Sequence, residues 1–218
     1  MSRNSFAIIG LGNFGGTVAL ELMRYGKYVI GIDRDERIVS NFAEEISQAL
    51  IADSRDEGAL RESGVGECDV ALISMGEDLE SSVLTAINLK MLGVELVWAK
   101  AVSRTHHRIL TKLGVDRVIH PEEEMGRHAA QVLNNPFVRD YVSLGNGSHV
   151  FYLLAPGKLN GKALSDLELT EKHQLRCLGV MRGTEFICDG TNDCHLKEGD
   201  RMMILGTRAR LGAFADSI

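Results

Sequence analysis

The sequence predicts an α/β chain, a doubly wound parallel sheet followed by a small α+β domain. Three observations carry this. Short apolar runs alternate with helix-period segments from the N-terminus to about His120, every switch is punctuated by Gly, Asp or Ser, and the alternation stops beyond Leu144, where strand-like runs dominate. Repeated βα units set successive strands parallel, with helices on both faces.

The expected strands cover residues 6–10, 28–33, 48–53, 69–74, 96–101 and 117–120. After the first, Phe14, Val18, Leu22 and Tyr25 mark one face of a helix, and Leu79, Val83, Ile87 and Met91 mark that of another. Pro121 follows the last strand. Glu122, Glu123 and Glu124 then fall in the first turn of a helix, where its dipole favours acid, and Met125, Ala129, Val132 and Leu133 form an apolar stripe. Asn134, Asn135 and Pro136 stop that helix. "GNGS" reads as a break, "SHVFYLLA" as a strand and residues 164–171 as a short helix. "RCLGVMRGTEFIC" reads as a hairpin turning at Arg182-Gly183, "DRMMILGT" as a strand, and the last residues as a short amphipathic helix. The expected domains are residues 1–135 and 136–218.

Composition narrows the function. A net charge of -6 without a Lys/Arg cluster argues against a nucleic-acid partner, which needs a basic stripe. The longest apolar runs are strand-length and the N-terminus shows no signal-peptide pattern, so a cytoplasmic protein is expected. Cys68, Cys177, Cys188 and Cys194 form no C-x-x-C pair and read as reduced structural thiols rather than a zinc site, although Cys194 and His195 are neighbours. His106 and His107 read as an exposed helix start.

"FAIIGLGNFGG" is the most informative stretch. Gly10, Gly12 and Gly15 make G-x-G-x-x-G between a strand and a helix, and Asp33 ends the second strand 23 positions after Gly10. In that context the turn is read as a diphosphate cradle of the Rossmann kind: Gly10 for the tight turn, Gly12 for close approach of phosphate, Gly15 for helix–strand packing. The phosphates would rest on the helix N-terminus. Asp33 would accept the ribose hydroxyls and repel a 2′-phosphate, which disfavours NADP; the adjacent Arg34 softens that slightly. Asp53-Ser54 and Ser74-Met75-Gly76 lie at carboxyl ends of strands, as ligand contacts or as solvated loop. Lys100 ends the fifth strand and could meet a phosphate as a point charge, or be solvated. His120-Pro121-Glu122 sets a carboxylate at the sheet edge. No Walker loop, nucleophile elbow or metal-ligand cluster is present, so hydrolysis is not expected.

These residues resemble the RCK (KTN/TrkA-type) regulators of potassium transport, especially their KtrA-like members. "FAIIGLGNFG", "IGIDRDE", "VWAKA", "LTKLGVDRVIHPEEEMG", "LNGKALSDLEL" and "LKEGDRMMILG" stand in the family's order over essentially the whole chain. The resemblance implies a cytoplasmic, non-catalytic regulatory subunit at the inner face of the membrane. Its N-terminal Rossmann domain (RCK_N) would bind ATP or ADP, with NAD or NADH in relatives, and its C-terminal domain would be RCK_C (TrkA_C), which in some members binds an effector such as cyclic di-AMP. The implied partners are a membrane potassium-translocating subunit of the KtrB/TrkH kind and copies of the chain itself, paired through the Rossmann domain and crossover helix and assembled into an octameric ring. Carried over by residue, Gly10, Gly12, Asn13, Phe14 and Gly15 form the phosphate loop, and Asp33 and Arg34 lie at the ribose. Asp53 and Ser54 lie beside the adenine, with Ser74, Met75 and Gly76 along the cleft. Lys100 approaches the phosphates, and Glu122 helps place a divalent cation such as magnesium. KtrA-like sequences usually carry arginine at position 13; Asn13 offers no charge, leaving adenine nucleotide and dinucleotide both open. The alternative from another class is a small NAD-dependent oxidoreductase, which needs a catalytic acid or base and a substrate pocket that the sequence does not display. A redox-sensing transcription regulator would need a basic helix-turn-helix, which the acidic composition does not supply.

Overall fold

A computed structural model of the chain describes residues 3–75, 78–189 and 193–218. The chain divides into two compact units, Met1–Pro121 and Glu122–Ile218.

In the first unit, β1 (Ser5–Ile9), α1 (Asn13–Arg24), β2 (Tyr28–Asp33), α2 (Glu36–Ser40), β3 (Gln48–Ile51), α3 (Glu57–Glu62), β4 (Val70–Ile73), α4 (Leu79–Met91), β5 (Leu96–Lys100), α5 (Arg104–Lys112) and β6 (Arg117–Ile119) follow in order. The six strands are parallel in the order β3-β2-β1-β4-β5-β6. The chain works outward one way from β1 to β3, then crosses to β4 and continues the other way. Between β1 and β4 the order reverses, and the carboxyl ends there border the crevice in which such folds bind ligands. Side-chain alternation along β1 feeds two cores: Ala7 and Ile9 join Ile32, Leu60, Leu89 and Leu110 on one face, while Ile8 joins Leu11, Ala19 and Val29 on the other. Each such fully buried Leu or Ile contributes about 1.5–3 kcal/mol.

Helix starts follow short polar residues. Asp35, Asp56, Asp78 and Ser103 cap α2 to α5 by accepting first-turn amides. The expected apolar face of α4 is a correction. Leu79, Ile87 and Met91 are exposed, Met91 at 65%, whereas Ser81, Ser82, Thr85, Ala86, Asn88 and Leu89 are buried. The polar members of that face are hydrogen-bonded, which is what lets them lie inside. In α1, Tyr25 is the exposed C-cap rather than part of the buried face, which centres on Gly15, Gly16 and Ala19. His106 is also corrected: it is fully buried, Nε2 3.1 Å from Ser82 Oγ, because Ser103 starts the helix and turns position 106 inward.

In the second unit, α6 (Pro121–Asn134) leads into β7 (Val138–Gly145), β8 (Ser148–Leu154), β9 (Arg176–Arg182), β10 (Glu185–Cys188), β11 (Arg201–Thr207) and α7 (Arg208–Ser217). These strands form an antiparallel sheet ordered β10-β9-β11-β8-β7. Its core gathers Phe151, Leu159, Leu175, Leu196, Ile204, Leu211 and Phe214. The sequence reading placed α6 with the first domain; by compactness it opens the second, where Val132 joins the core and the His128 ring stacks on Tyr141 at 4.9 Å. "GNGS" is not a break but the hairpin turn between β7 and β8, with Asn146 (φ 50) and Gly147 (φ 75) both in the left-handed region that such turns require. The expected helix over 164–171 shrinks to a single 3-10 turn, Ser165–Leu167, ended by Glu168 at φ 42.

Candidate functional site

The site grows from the turn between β1 and α1. Gly10 sits at φ 94, which glycine adopts without penalty, and its amide donates to Ile32 O at 2.7 Å. Ser74 Oγ, following β4, donates to Gly10 O at 2.5 Å and ties the two strand ends together. A Cβ at Gly15 would lie 2.0 Å from Gly10 O, so only glycine lets the helix approach the strand this closely. Gly12 differs. A Cβ there meets nothing within 4 Å, and Gly12 caps α1 with no side-chain hydrogen bond and no acid in the first turn. The chain thus presents bare first-turn amides and the positive end of a 12-residue helix to open space, an arrangement that stabilises an anion.

Asp33 ends β2 beside that turn. Its Oδ2 accepts the Leu11 amide at 2.8 Å and its Oδ1 the Asp35 amide at 3.0 Å. The carboxylate is thereby held against the glycine turn, and each oxygen retains a further lone pair for a hydroxyl donor. Arg34 is exposed next to it.

The other sequence-derived positions divide. Asn13 is exposed at the first position of α1, its carbonyl accepting Thr17 Oγ1 at 2.7 Å. Phe14 is half-buried and packs on the Ile8 side of the sheet, so its backbone alone serves the turn. Asp53 is gripped by Arg55 (Nη2–Oδ2 2.6 Å, Nε–Oδ1 2.9 Å); that hydrogen bond, then the Arg55 amide, hold its carboxyl down at about 2. Ser54 is buried, its Oγ 2.7 Å from Thr85 Oγ1 and its carbonyl accepting Asn88 Nδ2 at 3.1 Å, so its hydroxyl faces α4. Met75 is half-buried against the α4 side core, with Ser54 Oγ at 3.9 Å from its sulfur. Lys100 ends β5 opposite Ile119 and is half-buried. Gly76 lies outside the described residues. Glu122 is exposed in the first turn of α6.

Arg55 and Asp78 are residues the sequence reading missed. Asp78 caps α4 through the Ser81 amide, and the Ser81 hydroxyl and amide, ahead of Arg34 and Arg55, lower its pKa. The signal was available: D-x-R recurs as Asp35–Arg37 and Asp53–Arg55, each Asp accepting the backbone amide and guanidinium two residues on.

A family model described as "TrkA-N domain" matches residues 6–121, more than half of the chain and the whole glycine-turn sheet. The chain belongs to the TrkA-N family. The TrkA-N chain is 32% identical over 214 residues to Ktr system potassium uptake protein A of Bacillus subtilis, covering 98% of this chain and 96% of that protein. Among solved structures it is similar to the GsuK channel bound to NAD, with a TM-score of 0.65 at 14% identity over 98% of this chain and 39% of that one. A GsuK structure bound to ADP matches 60% of this chain and 34% of that one, with a TM-score of 0.53 at 13% identity. These two likenesses show the fold, and the TrkA-N chain spans about two fifths of the first channel chain. No helix among the described residues is long and apolar enough to cross a membrane.

Proposed function

We propose that this chain is the nucleotide-sensing regulatory subunit of a membrane potassium uptake system. The observation that carries the reading is the vacant space over Gly12 at an α1 N-terminus without a side-chain cap, facing an Asp33 carboxylate held in place by Leu11 and Asp35 amides. That constellation fits the diphosphate and ribose of ATP, ADP or NAD(H), and the near full-length relation to a Ktr system potassium uptake protein supplies the biological context. The GsuK structures bound to NAD and to ADP support the ligand class.

In this reading the diphosphate rests on the amides from Gly12 to Gly15 and the ribose hydroxyls donate to Asp33. Arg34 flanks the ribose and Lys100 adds positive charge for the phosphates. The adenine borders the ends of β2 and β3 near Asp53, with Ser74 and Met75 along the cleft. Glu122 is a candidate ligand for a divalent cation. Among the described residues no group of three or more His, Cys, Asp or Glu is arranged to hold a metal, so Glu122 would serve as a single protein oxygen, with water completing the shell. The protein then acts by difference: ATP and ADP share the site, and only unequal affinity for two shapes of a dimer, or of an octameric ring, moves the equilibrium that a membrane partner reads. The chain works at the cytoplasmic face of the membrane and carries out no catalysis.

Calorimetric titration of the purified chain with ATP, ADP, NAD and NADH tests this. We expect saturable binding of at least one adenine nucleotide and distinct ATP and ADP affinities. Equal affinities together with identical assembly size in both states would remove the switch; no binding by any of the four would remove the sensor.

A further inference from the structure

The C-terminal unit holds a thiol pair that nucleotide sensing does not use. Cys194 Sγ donates to Cys188 Sγ at 2.8 Å, and both cysteines are free. A disulfide needs the sulfurs at about 2.0 Å, so they lie within about 0.8 Å of bonding distance. Secondary structure fixes each side. Cys188 pairs with Val180 across the β9–β10 hairpin. Cys194 is held by its carbonyl, which accepts the Leu164 amide at 2.8 Å, and by the neighbouring Ala163–His195 bridge. Asp193 accepts the Cys194 amide at 3.0 Å and the Ser165 hydroxyl at 2.7 Å, which fixes the backbone further. The other thiols are placed differently. Cys177 Sγ donates to Gly179 O at 3.6 Å, and Cys68 is buried in the other unit.

We propose that Cys188 and Cys194 form a reversible disulfide when the protein meets a peroxide, joining the β9–β10 hairpin covalently to the strand segment that pairs with Ala163. Cys188 is buried and Cys194 half-buried, so Cys194 is the more accessible of the two to peroxide. Burial, then the hydrogen bond to Cys188, pushes the Cys194 thiol up to about 12, so the reaction speeds up with rising pH. The Cys194 sulfur, having lost its proton, attacks one peroxide oxygen; the O–O bond breaks, and the departing oxygen leaves as water after taking up a proton. Cys194 becomes a sulfenic acid. Cys188 Sγ then attacks that sulfur, the S–S bond forms, the S–O bond breaks, and the Cys188 proton leaves with the oxygen as a second water. Two thiols are oxidised by two electrons, and one peroxide is reduced to two waters. A thiol reductant such as dithiothreitol reverses the bond by exchange. In a reducing compartment the pair rests as thiols, so the bond marks oxidative conditions.

The test is peptide mapping by mass spectrometry of the full-length chain after hydrogen peroxide, denaturation and alkylation with N-ethylmaleimide. The expected result is loss of two of the four free thiols, an intrachain Cys188–Cys194 linkage, and recovery of all four with dithiothreitol. The Cys177→Ser variant retains the linkage and Cys194→Ser loses it. Alkylation of both Cys188 and Cys194 after oxidation would overturn the proposal. So would sulfinic acid on Cys194, or a disulfide that uses Cys177 or joins two chains.

Discussion

At the scale of single residues, two glycines separate folding from binding. Gly15 is required by the chain itself, since its absent Cβ leaves room for Gly10 O, whereas the space over Gly12 is empty of protein. Gly15→Ala should therefore cost about 1–3 kcal/mol of stability through overpacking. Gly12→Ala should leave stability within about 0.5 kcal/mol and weaken nucleotide binding about tenfold or more, because the methyl intrudes on the diphosphate. Calorimetric melting and titration of the two variants check this; a parallel loss of both properties in Gly12→Ala would refute the assignment. His106 gives a pH prediction. Burial, then the nearby His120, lowers its pKa, and its Nδ1 is buried without a hydrogen-bond partner among the described residues. The unfolded chain then takes up a proton near pH 6.5 that the folded chain resists, so stability falls as pH drops below about 6.5. In His106→Gln that part of the decline should vanish in denaturant melts at pH 7.5 and 5.5. The place of Asp33 beside the glycine turn was legible from its spacing to Gly10. Ser54 was not, because strand ends look alike in sequence and only the contacts with Thr85 and Asn88 show which way the hydroxyl turns.

Elements tell a similar story one level up. The alternation of strand and helix in the first unit was readable because each strand is an unbroken apolar run bounded by polar caps. The face of α4 was misread since hydropathy alone cannot know that Ser82 meets His106 and that Thr85 meets Ser54, pairings that make small polar residues suitable for the interior. The strand β7 was missed although Asn146-Gly147 is a strong hairpin signal; its sequence alternates weakly and most of its residues are exposed. Helix α6 has no buried residue, and Met125 and Leu133 are 64% and 85% exposed. Met125 and Leu133, exposed beside a Val132 that packs inward, are the side chains that the proposed dimer would cover. The double substitution Met125→Glu and Leu133→Glu should convert dimer to monomer in sedimentation equilibrium while far-UV circular dichroism stays unchanged.

For the whole molecule, the division into two units has a thermodynamic consequence. The glycine turn and Asp33 lie entirely in the first, so a nucleotide bound there as proposed would stabilise that unit by RT ln(1 + [L]/Kd), about 2.7 kcal/mol at a hundredfold excess over Kd. In differential scanning calorimetry the chain should show two transitions. Saturating nucleotide should raise one and leave the other in place; an equal rise in both would show the units unfolding as one. The second unit carries its own polar anchor, Asp200, 2% exposed and gripped by Arg182 through Nε–Oδ1 at 2.9 Å and Nη2–Oδ2 at 2.8 Å.

By itself the sequence determined the parallel sheet with its alternating helices and the position of the glycine turn, because hydrophobic period and glycine spacing are local properties that write the backbone directly. The tertiary structure alone decided which polar residues went inside α4, which carboxylates were already paired, and which cysteines came within reach of each other. Those outcomes depend on groups far apart in the chain, whose desolvation is tolerable only when a specific partner arrives.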